Sequence, residues 1–220
     1  MDMTNRTDAT DGARKFAFSA VILAGGNSSR MGKDKALLEV EGQSLLARQI
    51  ELVRSVGAGE IFISGRMGMD YSAFGCRVLT DYFSDVGPLA GIERAMDASS
   101  SPLLLVLAVD MAAMDSAILR KLLEGCASAR GAIPKTRSGI EPLAAVYPKL
   151  AMDKLKLELR FGKTPGARWL AEECVAVGLA RFVEVSDVEA ECFASANSPE
   201  DFHRLTTGRL TFSSRKSVPA

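Results

Sequence analysis

Residues 16–35 read Phe-Ala-Phe-Ser-Ala-Val-Ile-Leu-Ala-Gly-Gly-Asn-Ser-Ser-Arg-Met-Gly-Lys-Asp-Lys. The first eight are an almost unbroken apolar run, the pattern of a strand covered on both faces. The remainder is a polar, glycine-rich loop. Glycines at Gly25, Gly26 and Gly32 let the backbone approach a ligand closely and turn N–H groups inward. Arg30, Lys33 and Lys35 add positive charge, so an oxyanion is the natural guest. The loop is neither of two familiar phosphate loops. A P-loop separates Gly from Gly-Lys by four residues and continues with Ser or Thr. Here five residues separate Gly26 from Gly32, and Asp34 follows Lys33. The dinucleotide fingerprint G-x-G-x-x-G is absent as well.

Outward from this stretch, strand and helix patterns alternate. Leu45, Leu46, Ile50 and Val53 recur at helical spacing, predicting a helix over 44–56 with Ser44 as its N-cap. Short strands are expected at 60–64 and 77–80. Gly87-Pro88-Leu89-Ala90-Gly91 opens a helix that runs to about Ala98, with Pro in a normal first-turn place. Leu103 to Val109 is a second continuous apolar run, ending in Asp110. Asp115 caps the next helix, whose Ile118, Leu119, Leu122, Leu123 and Cys126 share one face. Strands are expected at 131–134, 143–147 and 181–185, and helices at 151–159 and 167–174. Ser198-Pro199-Glu200-Asp201 reads as a further helix start. This order implies a single-domain, Rossmann-like, three-layer α/β fold with a mostly parallel central sheet. In such sheets ligands bind past the carboxyl ends of the strands, where this reading puts both the glycine-rich loop and Asp110.

Composition narrows the function classes. The chain has 220 residues, 47% hydrophobic and 25% charged, which suits one globular domain over 16–205 with polar tails at 1–15 and 206–220. The 27 Lys and Arg balance the 27 Asp and Glu, so no global basic field points to nucleic acid or an acidic membrane. The longest apolar stretch, Pro102 to Ala108, is far too short to span a bilayer, and 1–13 lacks a signal-peptide core. A cytoplasmic protein is expected. Cys76, Cys126, Cys174 and Cys192 form no C-x-x-C pair and read as buried, reduced thiols. The single histidine, His203, cannot make a His-rich metal site, and Met67, Met69, Met111 and Met114 read as packing.

Leu23-Ala24-Gly25-Gly26-x-Ser-x-Arg30-Met31-Gly32-x-Asp34-Lys35 resembles the signature of the molybdenum cofactor guanylyltransferase family, within the MobA-like nucleotidyltransferases. Four later features agree in order: Asp81 before Gly87-Pro88-Leu89-Ala90-Gly91; Val109-Asp110-Met111; Glu141-Pro142-Leu143 with Tyr147-Pro148; and Phe193 to Asp201. The resemblance spans about residues 18–205. It implies transfer of GMP from GTP to the terminal phosphate of molybdenum-bound molybdopterin, with release of pyrophosphate.

By the same resemblance, Leu23, Ala24, Gly25 and Gly26 line the nucleotide and Gly32 keeps the loop's turn. Arg30 and Lys35 hold the triphosphate, Asp81 contacts the nucleoside, and Gly87 and Pro88 belong to the opposite wall. Asp110 binds Mg²⁺. Ser195 and Asn197 stand on the acceptor side, Ser195 replacing an Asn common in the family. Arg160, Lys163 and Arg168 are the candidates for meeting the anionic acceptor. The chemistry suits these residue types: cationic side chains and a carboxylate-bound cation offset charge on the phosphoryl oxygens, and an ionised phosphate monoester needs no strong general base. Two other readings stand beside this one. A sister enzyme would use CTP on the same cofactor or on a sugar or polyol phosphate; the Gly25-Gly26 pair leans to the guanylyl branch. A non-catalytic carrier would bind nucleotide and hand the cofactor on. Transient docking to a molybdoenzyme is compatible with any of them.

Overall fold

A computed structural model of the chain describes residues 16–25, 35–40, 42–66, 68–80, 87–161, 166–196 and 200–201. The expected tails and the helix around His203 lie outside these residues. The elements in chain order are β1 (Phe18–Leu23), β2 (Glu39–Val40), β3 (Gln43–Ser44), α1 (Leu45–Ser55), β4 (Ile61–Ser64), β5 (Arg77–Leu79) and α2 (Pro88–Ala98). There follow β6 (Leu103–Ala108), α3 (Ser116–Glu124), β7 (Gly131–Thr136), β8 (Gly139–Ile140), β9 (Ala144–Pro148), α4 (Met152–Arg160), α5 (Ala167–Ala176), β10 (Ala180–Glu184) and α6 (Asp187–Ala190). Short 3₁₀ turns include Lys35–Leu37 and Glu191–Phe193.

The two apolar runs of the sequence are central neighbours. β1 and β6 pair in parallel from Phe18↔Leu103 to Leu23↔Ala108, and every residue of both strands is buried. The main sheet runs β10-β7-β9-β6-β1-β4-β5, with β8 paired to β7. Alternate side chains feed two cores. Phe18, Ala20 and Ile22 face α1 and α3, while Val21 and Leu23 face α2, α4 and α5. This sandwiching explains why these strands read as continuous rather than alternating hydrophobic runs.

The helix boundaries follow local chemistry. Ala47 N–H donates to Ser44 Oγ at 3.2 Å, and Ile118 N–H donates to Asp115 Oδ1 at 3.0 Å, so both predicted caps form. Each such cap is worth about 1 kcal/mol. One polar residue interrupts the buried face of β1. Ser19 donates to Glu60 Oε2 at 2.8 Å and accepts from Ser99 Oγ at 2.8 Å. Ser100 N–H and Oγ reach the same Glu60 oxygen, at 2.9 and 2.8 Å. The Ser100 backbone bond first, then Ser19, holds the Glu60 carboxyl below the usual carboxylate range. This clamp ties the starts of β1 and β4 to the segment entering β6, at the sheet edge opposite the strand ends that carry the glycine-rich loop and Asp110.

Two features depart from simple strand–helix alternation. β9 runs antiparallel to both β6 and β7. Only residues 137–143 separate β7 from β9, too few for a parallel crossover, which needs a dozen or more. The small β2–β3 hairpin turns at Gly42, whose φ of +78° favours glycine. No helix among the described residues is long and apolar enough to cross a membrane.

Candidate active site

The order of the sheet selects the place for a ligand. β4 and β5 build outward on one side of β1, and β6 then pairs on its other side. At such a reversal the connections leaving adjacent strands diverge and leave a crevice past the carboxyl ends. β1 ends there in Leu23, Ala24 and Gly25, and β6 ends there in Val109 and Asp110. The two ends are stitched together, Val109 N–H donating to Leu23 O at 3.1 Å.

On the β4 side, Ala24 and Gly25 N–H both donate to Ser64 O, at 2.8 and 2.9 Å. Leu23 and Ala24 are buried and Gly25 is exposed, so the chain reaches solvent at Gly25. Gly26, Arg30, Gly32, Lys33 and Asp34 lie outside the described residues. The loop returns at Lys35, whose partly exposed side chain opens the 3₁₀ turn Lys35–Leu37. Ala36 behind it is fully buried and anchors the return.

Asp110 is half-buried at the head of the turn that follows β6. Burial pushes its carboxyl above the ordinary Asp range. The nearby Lys35 charge, backbone hydrogen bonding and the Ser195 hydroxyl pull it back. The carboxylate is therefore within electrostatic reach of Lys35 and lies near Ser195 of the C-terminal segment. Ala196 N–H donates to the Asp110 carbonyl at 2.8 Å, fixing that segment to the turn. The Ser195 hydroxyl is thus among the groups that lower the Asp110 carboxyl, an influence that the acceptor-side reading of Ser195 did not include. Asn197 lies outside the described residues, as does Asp81.

The opposite wall starts at Gly87, with φ +64°, followed by Pro88 in the first turn of α2. Further along α2, Gly91 packs against both neighbouring strand ends. A Cβ at Gly91 would lie 2.8 Å from Ser64 Cβ and 3.1 Å from Leu23 Cδ2. Ser64 carries the carbonyl that holds Ala24 and Gly25, so crowding here displaces the base of the loop. Gly91→Ala is expected to destabilise the fold by about 1–3 kcal/mol, the usual range for overpacking, and to weaken nucleotide binding. Thermal melting with and without nucleotide tests both parts; an unchanged melting point and unchanged binding would refute the packing argument.

On the β9 side of β6, Ala108 N–H donates to Leu143 O at 2.8 Å, which brings Glu141-Pro142-Leu143 alongside the end of β6. Glu141 is half-buried; burial raises its carboxyl, and the Arg168 charge lowers it in part. Arg168 Nη2 also lies 3.0 Å from where a Cβ would sit on Gly139. Arg168 is therefore placed at the same edge as Asp110. Arg160 is exposed in the last turn of α4, and Lys163 lies outside the described residues.

These donors suit Mg²⁺. The described residues contain no cluster of three or more His, Cys, Asp or Glu side chains that would cage a metal. Asp110 supplies a single hard oxygen ligand, and Mg²⁺ characteristically binds through one or two carboxylates plus substrate phosphates and water. Cys174 and Cys192 are buried as expected, whereas Cys76 and Cys126 are only partly buried; burial pushes Cys126 and Cys174 up to about 12, which disfavours their reactive thiolate forms. Met111 and Met114 are packed in the core, as expected.

A family model described as the MobA-like NTP transferase domain matches residues 20–188. The chain belongs to the MobA-like NTP transferase family. It is accordingly a nucleotidyltransferase, acting on a nucleotide substrate. A probable molybdenum cofactor guanylyltransferase of Opitutus terrae is 35% identical over 195 residues, covering 87% of this chain and 96% of that protein. Among solved structures, molybdopterin-guanine dinucleotide biosynthesis protein A from Archaeoglobus fulgidus superposes with a TM-score of 0.63. It is 23% identical and covers 88% of this nucleotidyltransferase and 99% of that chain. A 2-C-methyl-D-erythritol 4-phosphate cytidylyltransferase from Thermus thermophilus reaches 0.62 at 17% identity, covering 86% and 98% of the two chains. The fold is therefore common to guanylyl and cytidylyl enzymes, and nucleotide choice rests on the site.

Proposed function

We propose that this nucleotidyltransferase transfers GMP from GTP to the terminal phosphate of molybdenum-bound molybdopterin, releasing pyrophosphate. The observation that carries the reading is the pairing of β1 with β6, which sets Asp110 at the crevice past their ends, near enough to Lys35 for its charge to lower the carboxyl, in a chain so similar to a probable guanylyltransferase along nearly its whole length. The acceptor's phosphate oxygen forms a bond to the α-phosphorus of GTP, and the bond from that phosphorus to the β-phosphate oxygen breaks. The acceptor monoester is ionised near neutral pH, so the departing pyrophosphate, rather than a base, takes the charge.

Lys35 and Arg30 stabilise the oxygens on which negative charge accumulates. Leu23, Ala24, Gly25 and Gly26 line the nucleotide, Gly32 keeps the loop's turn, Asp81 meets the nucleoside, and Gly87 and Pro88 close the wall. Asp110 holds Mg²⁺, which when bound polarises the α-phosphate and neutralises the leaving group. Arg168, with Ser195 and Asn197, borders the acceptor. Much of the rate comes from holding two anions in line. The reaction takes place in the cytoplasm, and the product passes to a molybdoenzyme by transient docking.

The test is a titration of GTP, CTP, ATP and UTP with Mg²⁺, followed by thermal stability, because ligand binding to the native state raises the melting point. A rise with GTP alone, together with pyrophosphate release from GTP and the molybdenum-bound acceptor, is the expected result. A rise with CTP alone would move the assignment to the cytidylyl branch. Failure to release pyrophosphate with GTP and acceptor would end the proposal.

A further inference from the structure

Gln49 is a polar residue in an apolar place. On α1 it is surrounded by the buried Leu45, Leu46, Ile50 and Val53, and is itself only 1% exposed. Its Nε2 donates to Met111 O at 2.8 Å and makes a longer approach of 3.5 Å to Val109 O. These two carbonyls flank Asp110 in the chain. The same turn is held elsewhere by Ala196 N–H on the Asp110 carbonyl and by Val109 N–H on Leu23 O. Gln49 supplies the only one of these ties that comes from a side chain, and it comes from the helix behind the turn.

The tie carries a cost. Gln49 Oε1 is buried with no hydrogen-bond partner among the described residues. Turning the amide over would set that oxygen against the two carbonyls, so the donor orientation is the one the site dictates. A buried, unpaired acceptor opposes folding, and an apolar side chain of the same length would pack here without it. An amide that folding alone does not favour, aimed at the two peptides around the site's carboxylate, has a purpose in placing that carboxylate.

We infer that Gln49 is a positioning residue, which fixes the turn 109–111 so that Asp110 presents its carboxylate to the nucleotide-bound metal. The inference rests on the reading of Asp110 as the metal carboxylate. Groups that hydrogen-bond a metal's own ligand typically contribute 10–100-fold to metal affinity or activity, and Gln49 acts one step further out, through the carbonyls on either side of that ligand.

The test replaces Gln49 by Met, which has a similar length and no hydrogen-bonding amide; Gln49→Leu is the second variant should Met pack poorly. Mn²⁺ binding in the presence of GTP is followed by electron paramagnetic resonance, and backbone hydrogen exchange is mapped alongside. The expected result is Mn²⁺ affinity weakened by about 10–100-fold, a matching loss in kcat at limiting Mg²⁺, and little change in KM for GTP. Exchange should quicken at the amides of 109–112 and stay unchanged in β1 and β6, with no fall in melting point. Wild-type Mn²⁺ affinity with wild-type exchange at 109–112 would overturn the proposal. So would exchange that quickens across the whole sheet, since that marks loss of core packing. If the unaltered chain bound no Mn²⁺ with GTP, the metal reading of Asp110 would fall, while exchange at 109–112 would still decide whether Gln49 holds the turn.

Discussion

Asp110→Ala lowers turnover by about 10²–10³-fold, the size of a lost electrostatic stabiliser in a preorganised site. It also abolishes the Mg²⁺-dependent part of the thermal shift with GTP. The fold itself should not suffer. Burial disfavours the charged form of this carboxyl, and taking a charge out of water opposes folding. The substitution removes that opposition while leaving the backbone bonds from Ala196 to the Asp110 carbonyl and from Gln49 to the Met111 carbonyl in place. A nucleotide-free variant that melts no lower than the parent, yet fails to turn over, is the expected pattern. Near-parental pyrophosphate release would remove Asp110 from the mechanism.

Lys35→Ala has an effect of similar size, about 10²–10³-fold in turnover, for a different reason. The ammonium is the charge that the loop after β1 brings back toward β6, near enough to act on the Asp110 carboxyl. Two anions must approach in this reaction, and without that charge their repulsion is offset less. Lys35→Arg keeps the charge but alters its shape, so it should recover part of the activity. Asp110 and Lys35 serve one site, so their losses should not multiply in the double variant. Steady-state pyrophosphate release across the four proteins measures this. Fully multiplicative losses would show that the two residues act independently, against the arrangement argued here.

The parts of this protein legible in its sequence are those governed by local chemistry. Ser44 and Asp115 announced their helices because a side-chain oxygen capping free N–H groups acts over three residues. The runs ending at Leu23 and Ala108 announced a sheet covered on both faces. Glycines and cations at fixed spacing announced an oxyanion loop, and with Asp110 they carried the family resemblance across most of the chain. Gln49 was legible only in part. It falls four residues after Leu45, on the buried stripe of α1, where a polar residue stands out, but nothing near it in sequence names its partners.

What only the tertiary structure decided is what depends on contacts between distant segments. Gln49 meets Met111, 62 residues away. Ala196 N–H reaches back to the Asp110 carbonyl, which brings Ser195 near enough for its hydroxyl to lower the carboxyl. Gly91 must lack a side chain because Ser64 and Leu23 press against it. The antiparallel course of β9 brings Glu141 to Leu143 alongside the end of β6. A residue's own chemistry and its near neighbours set caps and strand character. The burial that raises the Asp110 carboxyl, and the bonds that aim it, arise only once the sheet has placed β1 beside β6 and the C-terminal segment has closed over them.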